Sequence, residues 1–439
     1  MQLIEKYNIP VPRYTSYPTV PYWNSTSFSE EQFKAGIRDT EEGISLYIHL
    51  PFCESLCTYC GCNKYITVNH GYESPYIDTL LKEWQLYRAL FKYPPKIREV
   101  HLGGGTPTFF SASHLSHLLQ AIFSSCEIMP DAAMSFEGHP NNTTLEHLQT
   151  LYALGFRRLS LGIQDFDPVV QKVINRVQPF CTVEKVVREA RRIGYTSINF
   201  DLIYGLPLQT SESISSTITQ VMQLYPERIA FYSYAHVPWI KGNGQRLFSE
   251  KDLPKDAAKR ALYELGRSML QEYFYEEIGM DHFALPDDEL NLARQNGSLH
   301  RNFMGYTVTH TSLLIGLGVS AISDTGHAYA QNEKQLALYR QRVQEGNLPL
   351  FRGHILSRED RLLRQHIEEL MCYHETRWYK VPECLPRLEE MEREGLVYIE
   401  PGRLTVTEKG TPFIRNICMA FDAHLWRNLP QKTLFSSGI

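Results

Sequence analysis

Four of the nine cysteines of this chain, Cys53, Cys57, Cys60 and Cys62, fall within the stretch PFCESLCTYCGCNK (51–64). Thiolates crowded in this way are metal ligands or redox groups. A zinc site usually pairs two such ligands with a second Cys or His pair some distance away. No such pair stands at the expected distance, and His70 is alone. Cys60 and Cys62 flank a single glycine, which makes a poor tetrahedral knuckle. Close loop spacing suits an iron–sulfur cluster better, because each thiolate then binds a different iron. Four ligands would saturate a cubane cluster; three would leave one iron open for chemistry. Chance crowding of packing cysteines is a weak alternative, since Glu54, Ser55 and Thr58 make the loop polar.

Composition narrows the setting. At 439 residues, with 43% hydrophobic and 21% charged residues, the chain can bury a large core and reads as one large domain plus a smaller one. The formal charge of −5 and the lack of a basic stripe give no reason to expect nucleic acid. REARRIGY (188–195) is basic, but Val183, Val186, Val187, Ala190 and Ile193 run at helical spacing, so its arginines form the wet face of an amphipathic helix. No apolar run is long enough to span a membrane, and MQLIEKYNIPVPRY carries charges and prolines where a signal peptide needs apolar residues. The expectation is a cytoplasmic protein.

The elements that must position the cysteines follow from periodicity. Residues 1 to 42, with PRYTSYPTVPYW, form an extension too rich in Pro and Tyr for a regular helix. ISLYIHL (44–50) predicts a strand entering the cysteine loop, SPYIDTLLKEWQLYRAL (74–90) a helix, and REVHLGGGTPT (98–108) a strand running into a glycine loop. AAMSFEGHP (132–140) predicts another strand. TLEHLQTLYALGFRRLSLGIQDF and TVEKVVREARRIGYTSINFDLIYG then repeat one pattern, a helix closed by Gly155 or Gly194, an aromatic and a strand. SISSTITQVMQLYPERIAFYSYAHVP supplies a third unit. Successive helix–strand units predict an α/β fold with a parallel sheet and right-handed crossovers, whose active site collects at the strand C-terminal ends. The cysteines, the glycines of GGGTPT, Glu137, Gln164, Asp201 and His236 all fall near such ends. From about residue 352 the pattern changes to helices, REDRLLRQHIEELMCYH and VPECLPRLEEMEREG, followed by a hairpin in LVYIEPGRLTVTEKG. Cys372, Cys384 and Cys418 lie there without mutual metal spacing and read as packing residues.

The spacing C-x3-C-x2-C after a strand and an aromatic–Pro pair resembles the radical S-adenosylmethionine superfamily. GGGTPT (103–108) resembles the second motif of that superfamily. The resemblance implies a partial (β/α)6 radical-SAM barrel over 43–350, with the extension 1–42 and a smaller, mostly helical, winged-helix-like domain over 351–439. It implies Cys53, Cys57 and Cys60 as ligands of a 4Fe–4S cluster whose open iron takes S-adenosylmethionine. Cys62, two positions after the third ligand, extends the pattern to one that resembles the oxygen-independent coproporphyrinogen III oxidase (dehydrogenase) family. PRYTSYPT, GIQDF, DLIYGLP, GMDHFALPDDEL, LHRNFMGYT, GVSAIS and RNICMAFD resemble that family from about residue 10 to 425.

This second resemblance implies residue roles. Tyr47, Gly104, Glu137 and Ile322 would hold the cluster-bound S-adenosylmethionine. Tyr59, Gly105, Thr106, Gln164, Arg176, Asp201 and Ala235 would hold a second molecule. Cys62, Phe303, Met304 and Arg13 are the candidate catalytic positions, with Arg13 the candidate for substrate carboxylates on a lid formed by the extension. Taken singly, Glu137 and Arg176 read as solvated charges; Asp201, inside the nearly apolar INFDLIYG, does not. Two departures from the family pattern stand out: His139 in EGHP where an acidic residue is usual, and Met304 where Gln is common.

The implied reaction is oxidative decarboxylation of two propionates of coproporphyrinogen III to vinyl groups, giving protoporphyrinogen IX, by a 5′-deoxyadenosyl radical. The implied partners are that substrate, an electron donor such as a flavodoxin-type protein, and an unknown electron acceptor, with no nucleic acid or membrane and a monomeric chain. Two rivals remain, a heme-binding chaperone or other porphyrin-modifying radical relative on the same barrel, and a zinc-stabilised binding module. Cys62, GMDHFA and PRYTSYPT argue against the first, and the missing second ligand pair against the second.

Overall fold

Strand alternation organises the molecule. In the first strand, Ile44, Leu46, Ile48 and Leu50 are all at most 1% exposed and face the surrounding helices, which turns Ser45, Tyr47 and His49 to the other side. The same period repeats in the next strands. Val100 and Leu102, Met134 and Phe136, Leu159 and Leu161, Phe200 and Leu202, and Ile229 and Phe231 are buried in the main core or against it. Their neighbours Glu99, His101, Ser135, Glu137, Arg158, Ser160, Asn199, Asp201, Arg228 and Tyr232 line one internal cavity. The barrel therefore has an apolar outside and a polar lumen.

The computed structural model describes the chain except residues 1, 27, 240–243, 380–382, 431, 433, 437 and 439. Strands of the large sheet are β1 (Ile44–Leu50), β2 (Lys96–Gly104), β3 (Glu127–Gly138), β4 (Arg158–Gln164), β5 (Ser197–Tyr204), β6 (Arg228–Ser233), β7 (Glu276–Gly279), β8 (His282–Ala284), β9 (Leu314–Leu317), β10 (Ile322–Asp324), β11 (Ala328–Asn332) and β12 (Leu350–Ile355). Their spatial order is β12-β11-β10-β9-β1-β2-β3-β4-β5-β6-β8-β7. β1 to β6 are parallel neighbours in sequence order, the expected six-stranded partial barrel. β9 joins β1 in parallel, and the remaining additions are antiparallel.

The helices sit where the periodicity placed them. Glu73–Arg88 and Phe180–Ile193 cover the sheet, and the second buries Val183, Val186, Val187 and Ala190 while Arg188, Arg191 and Arg192 face outward into ion pairs. Gly155 and Gly194 take the left-handed conformation expected of helix ends, with φ of 101° and 118°. No helix among the described residues is long and apolar enough to cross a membrane.

At the C-terminal end the helix Arg358–Tyr373 and the hairpin Val397–Glu400 with Arg403–Val406 form as expected, and a third short strand, Glu375–Arg377, joins the hairpin. The expected helix over 381–395 is a correction: Leu385–Leu388 is a 3-10 turn with Pro386 at its start, and only Glu389–Arg393 is α-helical. Proline has no N–H to continue a preceding helix, so the segment breaks there; residues 381 and 382 lie outside the described residues. β12 runs across the boundary expected between 350 and 351.

The N-terminal extension does not hang free. Tyr7, Tyr14 and Tyr17 share one buried core with Leu370, Leu388, Leu404 and Ile417 of the C-terminal region, and Cys384 and Cys418 pack in it. Cys372 is buried in a smaller neighbouring cluster. Asn24 pairs with Gly353 of β12 through two backbone hydrogen bonds, which covers an otherwise unpaired sheet edge.

Candidate active site at the barrel mouth

β1 ends at Leu50 and releases the cysteine loop directly over the strand ends. The loop is tied down by residues 173–176: Thr58 N donates to the Ile174 carbonyl at 3.0 Å, Thr58 Oγ1 to the Val173 carbonyl at 3.3 Å, and Asn175 Nδ2 to the Leu56 carbonyl at 2.8 Å. These bonds bring Arg176 beneath the loop, 3.7 Å from the Cys57 sulfur. Thr106 Oγ1 approaches the Cys53 sulfur at 3.3 Å.

The glycine motif presses against the same loop. Gly105 N donates to the Leu50 carbonyl at 2.9 Å and Thr106 N to the Phe52 carbonyl at 3.0 Å. A Cβ on Gly105 would meet the Pro51 carbonyl oxygen at 2.5 Å, and Gly104 has φ of 121° with the His49 ring 2.8 Å from its would-be Cβ. Only glycine allows both approaches.

A cavity of about 250 Å³ opens beside the loop. Its wall includes Tyr47, Gly104, Glu137 and Ile322 together with Cys62, Phe303 and Met304. Glu137 accepts from Gly104 N at 3.2 Å, its other oxygen lies 3.4 Å from His101 Nε2, and the side chain lines this cavity and the lumen alike. Behind it, His49 bridges Tyr47 Oη at 3.1 Å and the Asn63 carbonyl at 2.9 Å. A carbonyl only accepts, so His49 carries its proton on Nε2 and accepts a hydrogen bond from the Tyr47 hydroxyl at Nδ1. Burial holds this imidazole neutral by lowering its pKa.

A second cavity, about 160 Å³, is the polar lumen below, and Met304 lines both. Asp201 lies mid-strand in this lumen, not at the strand end, and accepts from Asn199 Nδ2 at 2.9 Å and Ser160 Oγ at 3.3 Å. Burial, followed by the charge of Glu137, pushes its carboxyl up to about 7. Burial likewise pushes His282, which bonds the Met280 carbonyl at 2.9 Å, down to about 4.

The residues expected to hold a second cofactor are less gathered. Tyr59, Gly105, Thr106, Gln164, Arg176 and Ala235 line neither of these two cavities. Gln164 is buried with φ of +68°, a strained conformation for a residue other than glycine. Arg176 donates to the Gly162 carbonyl at 2.6 Å and to Gln178 Oε1 at 3.1 Å. Tyr59 and Ala235 are joined by Gln245, whose Nε2 donates to their carbonyls at 3.3 and 2.9 Å. Arg13 is charge-paired with Asp281 at 2.5 Å over the Tyr232 ring and lines neither of these two cavities. His139 bonds to Asn141 N through Nδ1, and burial with the nearby Arg176 charge keeps it neutral, with its pKa down to about 3. His236 faces Glu250 at 3.2 Å and His300 faces Glu368 at 3.2 Å.

Sequence reasoning missed His49, Asn63, Ser320 and Gln245. The period-two pattern of β1 points His49 to the same side as Tyr47 and could have found it; nothing local marks Gln245.

Comparison with known proteins agrees with this geometry. Residues 47–221 match the model of the Radical SAM superfamily. The chain is 41% identical to the oxygen-independent coproporphyrinogen III oxidase of Escherichia coli (strain K12), over 97% of this chain and 95% of that one. The chain belongs to the oxygen-independent coproporphyrinogen III oxidase family. The enzyme of that name from Helicobacter pylori (strain ATCC 700392 / 26695) is also 41% identical, over 96% of this chain and 95% of that one. The solved coproporphyrinogen III oxidase of Escherichia coli, described as a radical SAM enzyme, superposes with a TM-score of 0.91 at 39% identity, covering 97% of this chain and 99% of that one.

The cysteines of this oxidase-family chain fit a multi-iron cluster. All are free thiols. Zinc–sulfur bonds of ~2.3 Å would bring its thiolates within about 4 Å of one another. Among the described residues, no three cysteine sulfurs come within 4.8 Å of one another. Three thiols spread around one loop, with Thr106 and Arg176 set against the Cys53 and Cys57 sulfurs, suit a cluster with one iron per cysteine. The Arg176 charge and the Lys64 charge favour thiolates here: a hydrogen bond from Cys62, then Lys64 and Arg176, bring Cys60 down to about 6 against its burial. Burial, with the neighbouring Cys60 and Cys57, pushes Cys53 up to about 11 against the hydrogen bond from Thr106 and the Arg176 charge.

Proposed function

We propose that the chain catalyses oxygen-independent oxidative decarboxylation of two propionates of coproporphyrinogen III to vinyl groups, giving protoporphyrinogen IX. The observation that carries this reading is the single cavity that joins Tyr47, Gly104, Glu137 and Ile322 to Cys62, Phe303 and Met304 beside the cysteine loop, in a chain 41% identical to enzymes of that name. The cofactors are a 4Fe–4S cluster and S-adenosylmethionine, which when bound supply the electron and the hydrogen-abstracting group.

In this reading Cys53, Cys57 and Cys60 ligate the cluster. Gly104 lets the amino-acid end of the cofactor approach the backbone, and the Glu137 carboxylate accepts from its ammonium. Phe303 and Ile322 make one wall apolar and keep water from the reacting carbon. Cys62 and Met304 face the same space, and Met304, lining both cavities, stands between the bound cofactor and the lumen. A second S-adenosylmethionine would use Tyr59, Gly105, Thr106, Gln164, Arg176, Asp201 and Ala235, with Asp201 accepting hydrogen bonds and Arg176 meeting a carboxylate. Each propionate loses its β-hydrogen and CO2, and one electron passes to an acceptor outside the chain. We place this chemistry in the cytoplasm of a monomeric chain served by a flavodoxin-type donor. The buried aromatic strap of residues 1–42 would close over the barrel, and the second core within 351–439 would hold it.

The test is anaerobic. The chain is reconstituted with iron and sulfide and supplied with S-adenosylmethionine, a reductant, an electron acceptor and coproporphyrinogen III. Release of CO2 with a two-vinyl product, lost in Cys57→Ala, is the expected result. Cofactor cleavage that leaves the propionates intact would assign another substrate, and heme binding without cleavage would favour the chaperone reading.

A further inference from the structure

Outside the two cavities of the candidate site, three elements bring two imidazoles and a carboxylate together. His354 lies in β12, Asp360 in the first turn of the helix Arg358–Tyr373, and His424 in the short helix Ala423–Arg427. His354 Nε2 lies 3.0 Å from Asp360 Oδ2 and His424 Nε2 lies 2.7 Å from Asp360 Oδ1. The three ligand atoms all fall within 4.8 Å of one another. We propose that His354, Asp360 and His424 form a binding site for one zinc-class divalent cation.

Nitrogen and oxygen ligands bind zinc at ~2.0–2.2 Å, which sets neighbouring donors of a tetrahedral site about 3.3 Å apart. The observed separations, 3.0 and 2.7 Å to the two carboxylate oxygens, are shorter than that value, so the donors need open only by about half an ångström to admit an ion. Each carboxylate oxygen faces its own imidazole, and the two rings meet edge to face at 89° with centroids 5.3 Å apart. The carboxylate is held from behind by Ser357 N at 2.9 Å, an outer contact of the kind that orients metal ligands. The Asp360 side chain is 5% exposed, whereas His354 and His424 are 18% and 22% exposed, so a cation and its remaining water have an entry path. Without the ion, the same atoms make two N–H···O bonds. With it, each imidazole gives up its Nε2 proton, one proton per histidine passes to solvent or to Nδ1, and the ion takes both places.

The consequence is structural. The Tyr17 and Tyr22 rings lie against His424, so one ion would clamp the last sheet strand, the C-terminal region and the N-terminal strap at a single point.

The experiment uses the full chain with its cluster assembled, so that the loop cysteines are occupied. It is equilibrated anaerobically with buffered zinc chloride, and zinc and iron are counted by atomic emission. The comparison is with His354→Gln/His424→Gln, which keeps amide donors toward Asp360 while removing imidazole ligands. The expected result is about one more zinc per chain in the unaltered protein, and a zinc-dependent rise in its unfolding temperature that the double variant lacks. Equal zinc content in the two proteins overturns the proposal. Unchanged iron content and cofactor cleavage establish that the variant is folded; should it not fold, His424→Gln alone gives the same comparison.

Discussion

The Arg176 guanidinium donates to the Gly162 carbonyl at 2.6 Å and at the same time reaches the Cys57 sulfur at 3.7 Å. One side chain thus links the end of β4 to a candidate cluster ligand. Outer contacts of this kind tune a metal centre and are worth ~10–100-fold in affinity or activity. Arg176→Ala is expected to keep most of its iron yet cleave S-adenosylmethionine at least about tenfold more slowly. Loss of a positive charge beside the thiolates also shifts the cluster to a more negative reduction potential, which a redox titration followed by electron paramagnetic resonance reads directly. Unchanged rate and potential would remove Arg176 from the site.

Asp201 gives the account a pH signature. Its carboxyl, pushed up to about 7 by burial and the Glu137 charge, is protonated below that pH and charged above it. A carboxylate accepts from a cationic or hydroxyl-bearing ligand; the acid form does so weakly. Binding of S-adenosylmethionine at the proposed second site is therefore expected to tighten as pH rises from 6 to 8. Asp201→Asn should flatten that dependence, as measured by equilibrium dialysis. An unaltered slope in the variant would assign the titration elsewhere.

Gln245 carries no motif, yet it is 1% exposed and pins three backbone groups, the carbonyls of Tyr59 and Ala235 and the N–H of Val237. Gln245→Ala leaves these part-buried groups without that partner, at a cost of about 1 kcal/mol. The expected readouts are weaker cofactor binding and faster proteolysis near residues 235–245, with little change in the far sheet. Equal proteolysis in both proteins would contradict the bridging role.

Glu83 supports the cavity from the opposite side. Fully buried, it accepts from Tyr339 Oη at 2.6 Å, Gly318 N at 2.7 Å and Asn332 Nδ2 at 2.6 Å. These bonds fix the turn after β9 that leads to Ser320 and Ile322 in the cavity wall. Glu83→Ala orphans the Tyr339 hydroxyl and the Gly318 N–H, leaves Asn332 Nδ2 only its backbone carbonyl partners, and a loss of about 3–5 kcal/mol in stability is expected from denaturant unfolding. A loss below about 1 kcal/mol would show that the donors find other partners.

What the sequence made legible was periodic or dense in chemistry. The strands β1 to β6 and their helices announced themselves through alternation and helical spacing, and four thiols in one loop could not be mistaken for packing. The short strands β7 to β11 could not be read, because three to five residues carry too little pattern. Pro386 broke a segment whose apolar spacing otherwise looked helical. The pairing of Arg13 with Asp281 and the shared core of Tyr14 with Ile417 join residues hundreds of positions apart, which no local pattern encodes. Asp201 was named by the family resemblance, the cost of burying a carboxylate in INFDLIYG supported it, and Asn199 and Ser160 are the partners that cost requires.

The most direct test of the account follows the substrate hydrogen. Coproporphyrinogen III deuterated at the propionate β-carbons is turned over anaerobically by the reconstituted chain, and the 5′-deoxyadenosine released is analysed by mass spectrometry. The account expects deuterium in 5′-deoxyadenosine together with the vinyl product. Vinyl product accompanied by unlabelled 5′-deoxyadenosine would contradict hydrogen abstraction at that carbon, and with it the assignment of the cavity beside Cys62 as the place where the cofactor meets its substrate.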